Sequence, residues 1–419
     1  MNRWRFFAIG LCAVLIMDPA APAAAAERRH RSAEVITTWN AIAARTISAS
    51  GLPVQVTSLY FAFVNLATYE AVVTIDGGYQ PNYALPRPDP RASAEVAAAT
   101  AAHDTLAHYF PSARPALDAD YQAWLEGQPG GVARQEGRRV GAEAAQAVIT
   151  DRSDDGRDAP ITLDPGPHAP GRWRPTPPAR LPMSSPWLGF VDPLTLSSPR
   201  QFRLMGPDSL RSKAYADDRA EVAAYGRRTG SARTAEQTET ALFWSVSPVL
   251  QFQAALRDLV QRRGLDRAEA ARLFAAVSTA NADALIACWR AKFDDPFWRP
   301  ITAIREAGPD ADPSWTPLTD TPPYPEYASG HACVSGSTTE VLGRLLGHRS
   351  IDLNVSSTGS DPSAPVTRHY DSARALDAET MNARIWLGIH FRRAMVDGNQ
   401  LGHRVARWTL QHRFRPTWC

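Results

Sequence analysis

The chain has 419 residues, with 45 Lys and Arg against 43 Asp and Glu and a formal net charge of +2. A balance this close to neutral excludes a partner gripped by bulk charge, such as nucleic acid, so any anion site must be a local cluster of cations. The length suffices for one large or two moderate domains with packed cores.

At the start of the chain, Arg3 and Arg5 precede an apolar run from Phe6 to Met17, and an alanine-rich stretch ends in Ala24-Ala25-Ala26 before Glu27. This is the layout of a cleavable signal peptide over 1–26 and predicts export to the periplasm or the medium. The run is shorter than the about 20 apolar residues of a membrane span, and no lipobox surrounds Cys12. The later apolar stretch from Leu273 to Ala287 is interrupted by Ser278, Thr279, Asn281 and Asp283, so no transmembrane segment is expected.

Helical periodicity marks Val54–Val73, Ala94–Tyr109, Val132–Thr150, Thr234–Arg262 and Arg267–Lys292. Ser93 before Ala94-Glu95, and Asp266 before Arg267-Ala268-Glu269, are start signals. Strand alternation bounded by hairpin turns is hard to find, and the reading is all-α. Between Asp151 and about Pro199 the pattern gives way to Pro-, Gly- and Asp-rich sequence too long for an ordinary connector. Trp173, Trp187, Leu188, Phe190 and Val191 are apolar anchors that a solvated linker would lack. An ordered wrap over 151–199 is therefore expected between a helical bundle at 27–150 and a second, catalytic one at 200–419. After signal removal Cys288, Cys333 and Cys419 remain, without metal-ligand spacing. Cys288 and Cys333 read as small core residues in preference to a disulfide, with a bridge between them left open.

The last third of the chain holds three polar islands. Lys292 and Arg299 are seven residues apart, two turns on a continuous helix. Pro296 falls between them, so the helix is expected to end near Phe293, with Arg299 approaching from the loop. Either geometry aims both cations at one anion, although the pair alone would read as two surface charges. Ser329 follows Pro322-Pro323-Tyr324-Pro325 and precedes a helix with an apolar face of Val334, Val341, Leu342 and Leu345. It is an N-cap candidate, and the same helix start binds oxyanions. Gly330 admits the anion to the backbone, and His331 stands over it. Arg384 and His390, six residues apart, lie roughly 120° from each other on an ideal helix. Gly388 must break the helix if both are to converge. His348, His369, His403 and His412 lack such company and read as structural.

In this order and at these spacings, Lys292 to Pro300, Tyr327-Ala328-Ser329-Gly330-His331-Ala332 and Ala383 to His390 resemble the three-part signature of vanadium-dependent haloperoxidases and the type 2 phosphatidic acid phosphatase superfamily. Pro170–Pro178, Pro186–Pro193 and Arg233–Glu239 are similar to segments of secreted bacterial haloperoxidase-like proteins, so the resemblance covers most of the mature chain. It implies two packed helical bundles and a vanadate cofactor whose non-axial oxygens bond Lys292, Arg299, Ser329, Gly330 and Arg384. It makes His390 the axial group, bonding vanadium in a peroxidase or attacking phosphorus in a phosphatase, and His331 the acid/base at the apical oxygen. Trp289 and Tyr324 match positions where fungal-type chloroperoxidases shape a halide pocket; both also fit as ordinary core aromatics. The chain departs from the family pattern at Ala328, in place of Pro, and at Ala394, where Asp often follows the axial histidine. Asp397 lies roughly 10 Å beyond His390 if that stretch is helical, so another partner, such as a backbone carbonyl, is expected to orient His390.

A haloperoxidase using hydrogen peroxide and halide, with Lys292 polarising the peroxide, is the first reading. A soluble acid phosphatase hydrolysing phosphate esters through a phosphohistidine is the second, and the missing carboxylate weakens it more than the first. A simple anion binder is the third, but it would not need two imidazoles.

Overall fold

The computed structural model describes residues 20–306, 308–347, 350–359 and 363–417. Most of the expected signal peptide, His348 and Cys419 lie outside the described residues. The helices run, in order, α1 (Ala20–Ala49), α2 (Thr57–Asp76), α3 (Ala94–Tyr109), α4 (Arg114–Glu126), α5 (Val132–Asp151), α6 (Lys213–Tyr225), α7 (Ala235–Phe243), α8 (Pro248–Arg263), α9 (Arg267–Asp294), α10 (Pro300–Glu306), α11 (Gly330–Leu346), α12 (Ala373–Trp386) and α13 (Arg392–His412). Between α11 and α12 an antiparallel hairpin pairs β1 (Leu353–Ser357) with β2 (Val366–Tyr370). Among the described residues the fold is all-α apart from this hairpin, which the sequence reading missed. Its strands are five residues each, too short for alternation to stand out.

Helix α9 organises the molecule. Its start is the one read from sequence: Asp266 accepts from the Glu269 amide while the Glu269 side chain accepts from the Asp266 amide, a capping box. From Ala270 to Trp289 every residue except Arg272 is buried. One side of α9 packs on α2, which together with α1, α3 and α5 forms the first bundle; the other packs on α11 and α13 of the second. Helix α2 is long and apolar enough to cross a membrane, a candidate the sequence reading passed over, and 89% of its apolar window is buried inside the protein. Within the second bundle α11 and α13 approach closely because Gly336, Gly398 and Gly402 sit at the contact. A Cβ at Gly402 would collide with the Cys333 carbonyl, and one at Gly398 with the Ser329 carbonyl.

The helix expected over Thr234–Arg262 is two helices. Ser247 caps α8 by accepting from the Leu250 amide, with Pro248 at the first helical position, and α7 ends at Phe243. Pro248 cannot continue an incoming helix, so Trp244–Ser247 form a turn, and the carbonyls freed there reach the site described below.

Along the Pro-rich stretch, Trp173, Leu188 and Val191 are buried. The Trp173 amide donates to Pro296 O (2.7 Å) and the Trp298 amide to Gly171 O (3.0 Å), tying this stretch to the loop that carries Arg299. A second anchor is Asp283 of α9, whose carboxylate accepts from the amides of Leu194 (2.7 Å), Thr195 (2.8 Å) and Leu196 (3.2 Å) and from the Thr195 hydroxyl (2.6 Å). Replacing this fully buried acid by Ala leaves four donors without their acceptor. Asp283→Ala should therefore cost about 3 kcal/mol of stability, read as a lower urea midpoint, and an unchanged midpoint would show that the anchor is dispensable.

Candidate active site

Lys292 is on the last turn of α9, and Arg299 immediately precedes α10; both are fully buried. The helix ends at Asp294, so the two cations approach from helix and loop as the proline predicts. Backbone oxygens of one segment hold both. Lys292 Nζ donates to the carbonyls of Pro325 (2.8 Å), Glu326 (3.1 Å) and Ala328, which occupies all three of its hydrogens. Burial and the neighbouring Arg299 pull its pKa down to about 8, so it is a cation at neutral pH. Arg299 donates from Nε to Tyr324 O (2.8 Å) and from Nη1 to Ile389 O (2.7 Å).

Ser329 occupies the N-cap position of α11 in an extended conformation, yet its side chain makes no cap bond. Its Oγ is buried without a partner, as are Arg299 Nη2 and Arg384 Nε. Nearly all buried polar atoms find partners, so three orphaned donors on three motif residues mark a place for an acceptor. Arg384, on the last turn of α12, gives Nη1 to Trp244 O (2.7 Å), and His331 Nε2 lies 3.1 Å from Val246 O. Both carbonyls belong to the turn between α7 and α8.

His390 lies in the bend between α12 and α13. Gly388 makes that bend with φ of +79°, and an added Cβ there would lie 2.5 Å from Gly226 O. The break inferred from sequence is therefore the one observed. The imidazole is 2% exposed. Burial, then the charges of Arg299, Lys292 and Arg384, hold its pKa well below the ordinary histidine range. Burial and Arg384 do the same to His331. Both rings are neutral at neutral pH.

The expected carbonyl is not what orients His390. Its Nδ1 lies 2.9 Å from Glu326 Oε1, and the Phe391 amide donates to the same oxygen at 2.9 Å. Glu326 is fully buried, and burial drives its pKa up to about 8 against the pull of Phe391, Arg299 and Lys292. The sequence reading missed it. The available signal was an acid inside an otherwise apolar, Pro-rich segment three residues before Ser329. Asp397 turns away from the imidazole, accepting from Tyr327 Oη (2.5 Å) and pairing with Arg393 (2.8 Å).

Trp289 and Tyr324 come together beside the cations. Their ring centroids are 4.9 Å apart, and Lys292 Nζ is 5.4 Å from the first and 5.0 Å from the second. Arg299 stands 4.8 Å from the Tyr324 ring. Gly330 faces Trp289, where a Cβ would approach the indole to 3.2 Å, a tight contact. Cys288 and Cys333 are free buried thiols, and Cys288 Sγ donates to Ala328 O (3.4 Å).

Residues 272–416 match the family model described as the second helical-bundle domain of vanadium chloroperoxidase. Every motif residue from Lys292 to His390 falls inside that stretch. Vanadium chloroperoxidase of Curvularia inaequalis is 34% identical over a match covering 30% of this chain and 28% of that protein. The crystal structure of the first bacterial vanadium-dependent iodoperoxidase superposes with a TM-score of 0.80 at 26% identity, covering 91% of this chain and 97% of that one. By sequence over residues 272–416, and by fold over most of the chain, this protein is similar to the vanadium haloperoxidases. A bacterial vanadium-dependent chloroperoxidase shares the fold, with a TM-score of 0.69 at 16% identity over 85% of this chain and 91% of that one. The site fits the vanadate of these relatives, because vanadate is an oxyanion and the unpartnered Arg299 Nη2, Arg384 Nε and Ser329 Oγ are donors.

Proposed function

We propose that this chain belongs to the vanadium haloperoxidase family and is an exported vanadium-dependent peroxidase that oxidises a halide with hydrogen peroxide. The observation that carries the proposal is the set of three buried, unpartnered donors beside a neutral imidazole. Vanadate bound there supplies a Lewis-acid centre that activates hydrogen peroxide. Arg299, Arg384, Ser329 and the Gly330 helix start would hold its oxygens, and His390 Nε2 would bond the metal. His331 would give or take a proton at an oxygen held there. Lys292 acts first through its charge, since it must release one of its three carbonyls before it can polarise the peroxide directly. Trp289 and Tyr324 line the halide's approach. In this reading 200–419 is the catalytic bundle, 151–199 the wrap and 27–150 the first bundle, with export directed by 1–26.

A specific observation also favours phosphate-ester hydrolysis. The Glu326 contact gives His390 a carboxyl partner that fixes its tautomer, so Ala394 does not count against a phosphohistidine. Mature protein prepared free of metal decides between the two readings. Halide-dependent peroxide consumption that appears only with vanadate supports the peroxidase. Phosphate-ester turnover without vanadate, and no halide oxidation with it, would assign the site to a phosphatase.

A further inference from the structure

We infer that Glu326 is the positioning residue of this site: it sets the tautomer and the aim of His390, the task that a carboxylate at position 394 would otherwise perform. The inference rests on the reading of His390 as the group that bonds the oxyanion. Two contacts on opposite sides of the ring lead to the same tautomer. Arg299 Nη1 is 3.3 Å from His390 Nε2, and a guanidinium can only donate. Nε2 therefore presents its lone pair, and the single proton of the neutral ring is on Nδ1. On that side stands Glu326 Oε1 at 2.9 Å, an oxygen that also receives the Phe391 N–H at 2.9 Å. An oxygen accepting two N–H groups carries no proton of its own, so it accepts from Nδ1 whether or not the other carboxyl oxygen is protonated.

Asp397, the acid that follows His390 in the chain, is engaged by Tyr327 and Arg393, and Ala394 has no polar side-chain atom. Glu326 itself has little freedom. Its amide donates to Phe297 O (3.0 Å), and its carbonyl and that of Pro325 accept from Lys292. One segment thus positions the cation through its carbonyls and the imidazole through its carboxyl. The result is a ring whose Nε2 is kept free of a proton, its lone pair facing Arg299 until an anion displaces that contact, the tautomer control that partners of metal-bound histidines provide.

The test is nitrogen NMR of ring-labelled histidine in the metal-free protein, combined with orthovanadate titration. Wild type should show His390 as the Nδ1–H tautomer. Glu326→Gln should keep it, because the Phe391 amide selects the Gln oxygen for the shared position. Glu326→Ala should leave Arg299 Nη1 on its shorter Ile389 bond alone, populate Nε2–H, and weaken orthovanadate binding roughly 10–100-fold. If Glu326→Ala fails to fold, Glu326→Asp, which withdraws the oxygen by one methylene, should likewise lose Nδ1–H population. An Nε2–H tautomer in wild type, or an unchanged tautomer in both the Ala and Asp variants, overturns the inference. If the tautomer switches as expected but wild type binds no orthovanadate, the positioning role stands and the haloperoxidase reading falls.

Discussion

His390→Ala should abolish tight retention of vanadate, whereas His331→Ala should bind it and turn over roughly 10²–10⁴-fold more slowly. The contrast follows from their surroundings. His390 has its Nε2 lone pair turned inward beside Arg299, while His331, partly exposed at the start of α11, is held by the Val246 carbonyl. Removing the first deletes the atom that bonds the anion, and removing the second leaves the donors in place. Equilibrium dialysis against orthovanadate, run beside halide oxidation with hydrogen peroxide, separates the two outcomes. Wild-type retention by His390→Ala, together with loss of retention in His331→Ala, would reverse the assignment.

The second large effect belongs to the arginines. Arg299→Ala and Arg384→Ala should each lose ~1.5–3 kcal/mol of oxyanion binding per charged hydrogen bond, or roughly ten- to 150-fold in affinity. Their stabilities should differ. Arg299 also ties Tyr324 to Ile389 through its two carbonyl bonds, while Arg384 makes one bond, to Trp244. Arg299→Ala should therefore show the lower melting temperature. Titration with orthovanadate and thermal unfolding of both variants check this, and wild-type affinity in both would defeat the donor cage.

The carboxyl group at His390 changes what Ala394 means. From sequence, its absence argues against an imidazole nucleophile. In the folded chain the same chemical group reaches Nδ1 from the segment before Ser329. Position 394 therefore does not separate peroxidase from phosphatase, and the choice passes to the assays with and without vanadate.

Local order carries far into this protein. Sequence by itself determined the long helices with their own caps, such as α3 behind Ser93 and α9 behind Asp266, because a cap bond and a 3.6-residue period are satisfied within a few residues. It also determined that Lys292 and Arg299 sit on opposite sides of a helix end and that Gly388 turns the chain ahead of His390. Ser329 shows where local reasoning stops. Its position at the start of α11 was legible, but that its hydroxyl forgoes the cap bond was not. Only tertiary structure split the Thr234–Arg262 pattern and delivered the carbonyls of Trp244 and Val246 to Arg384 and His331, contacts spanning 140 and 85 residues. It likewise brought Glu326 to His390, 64 residues away in the chain. Periodicity records which face of an element is buried; a buried charge records its partner only through the fold that removes both from water.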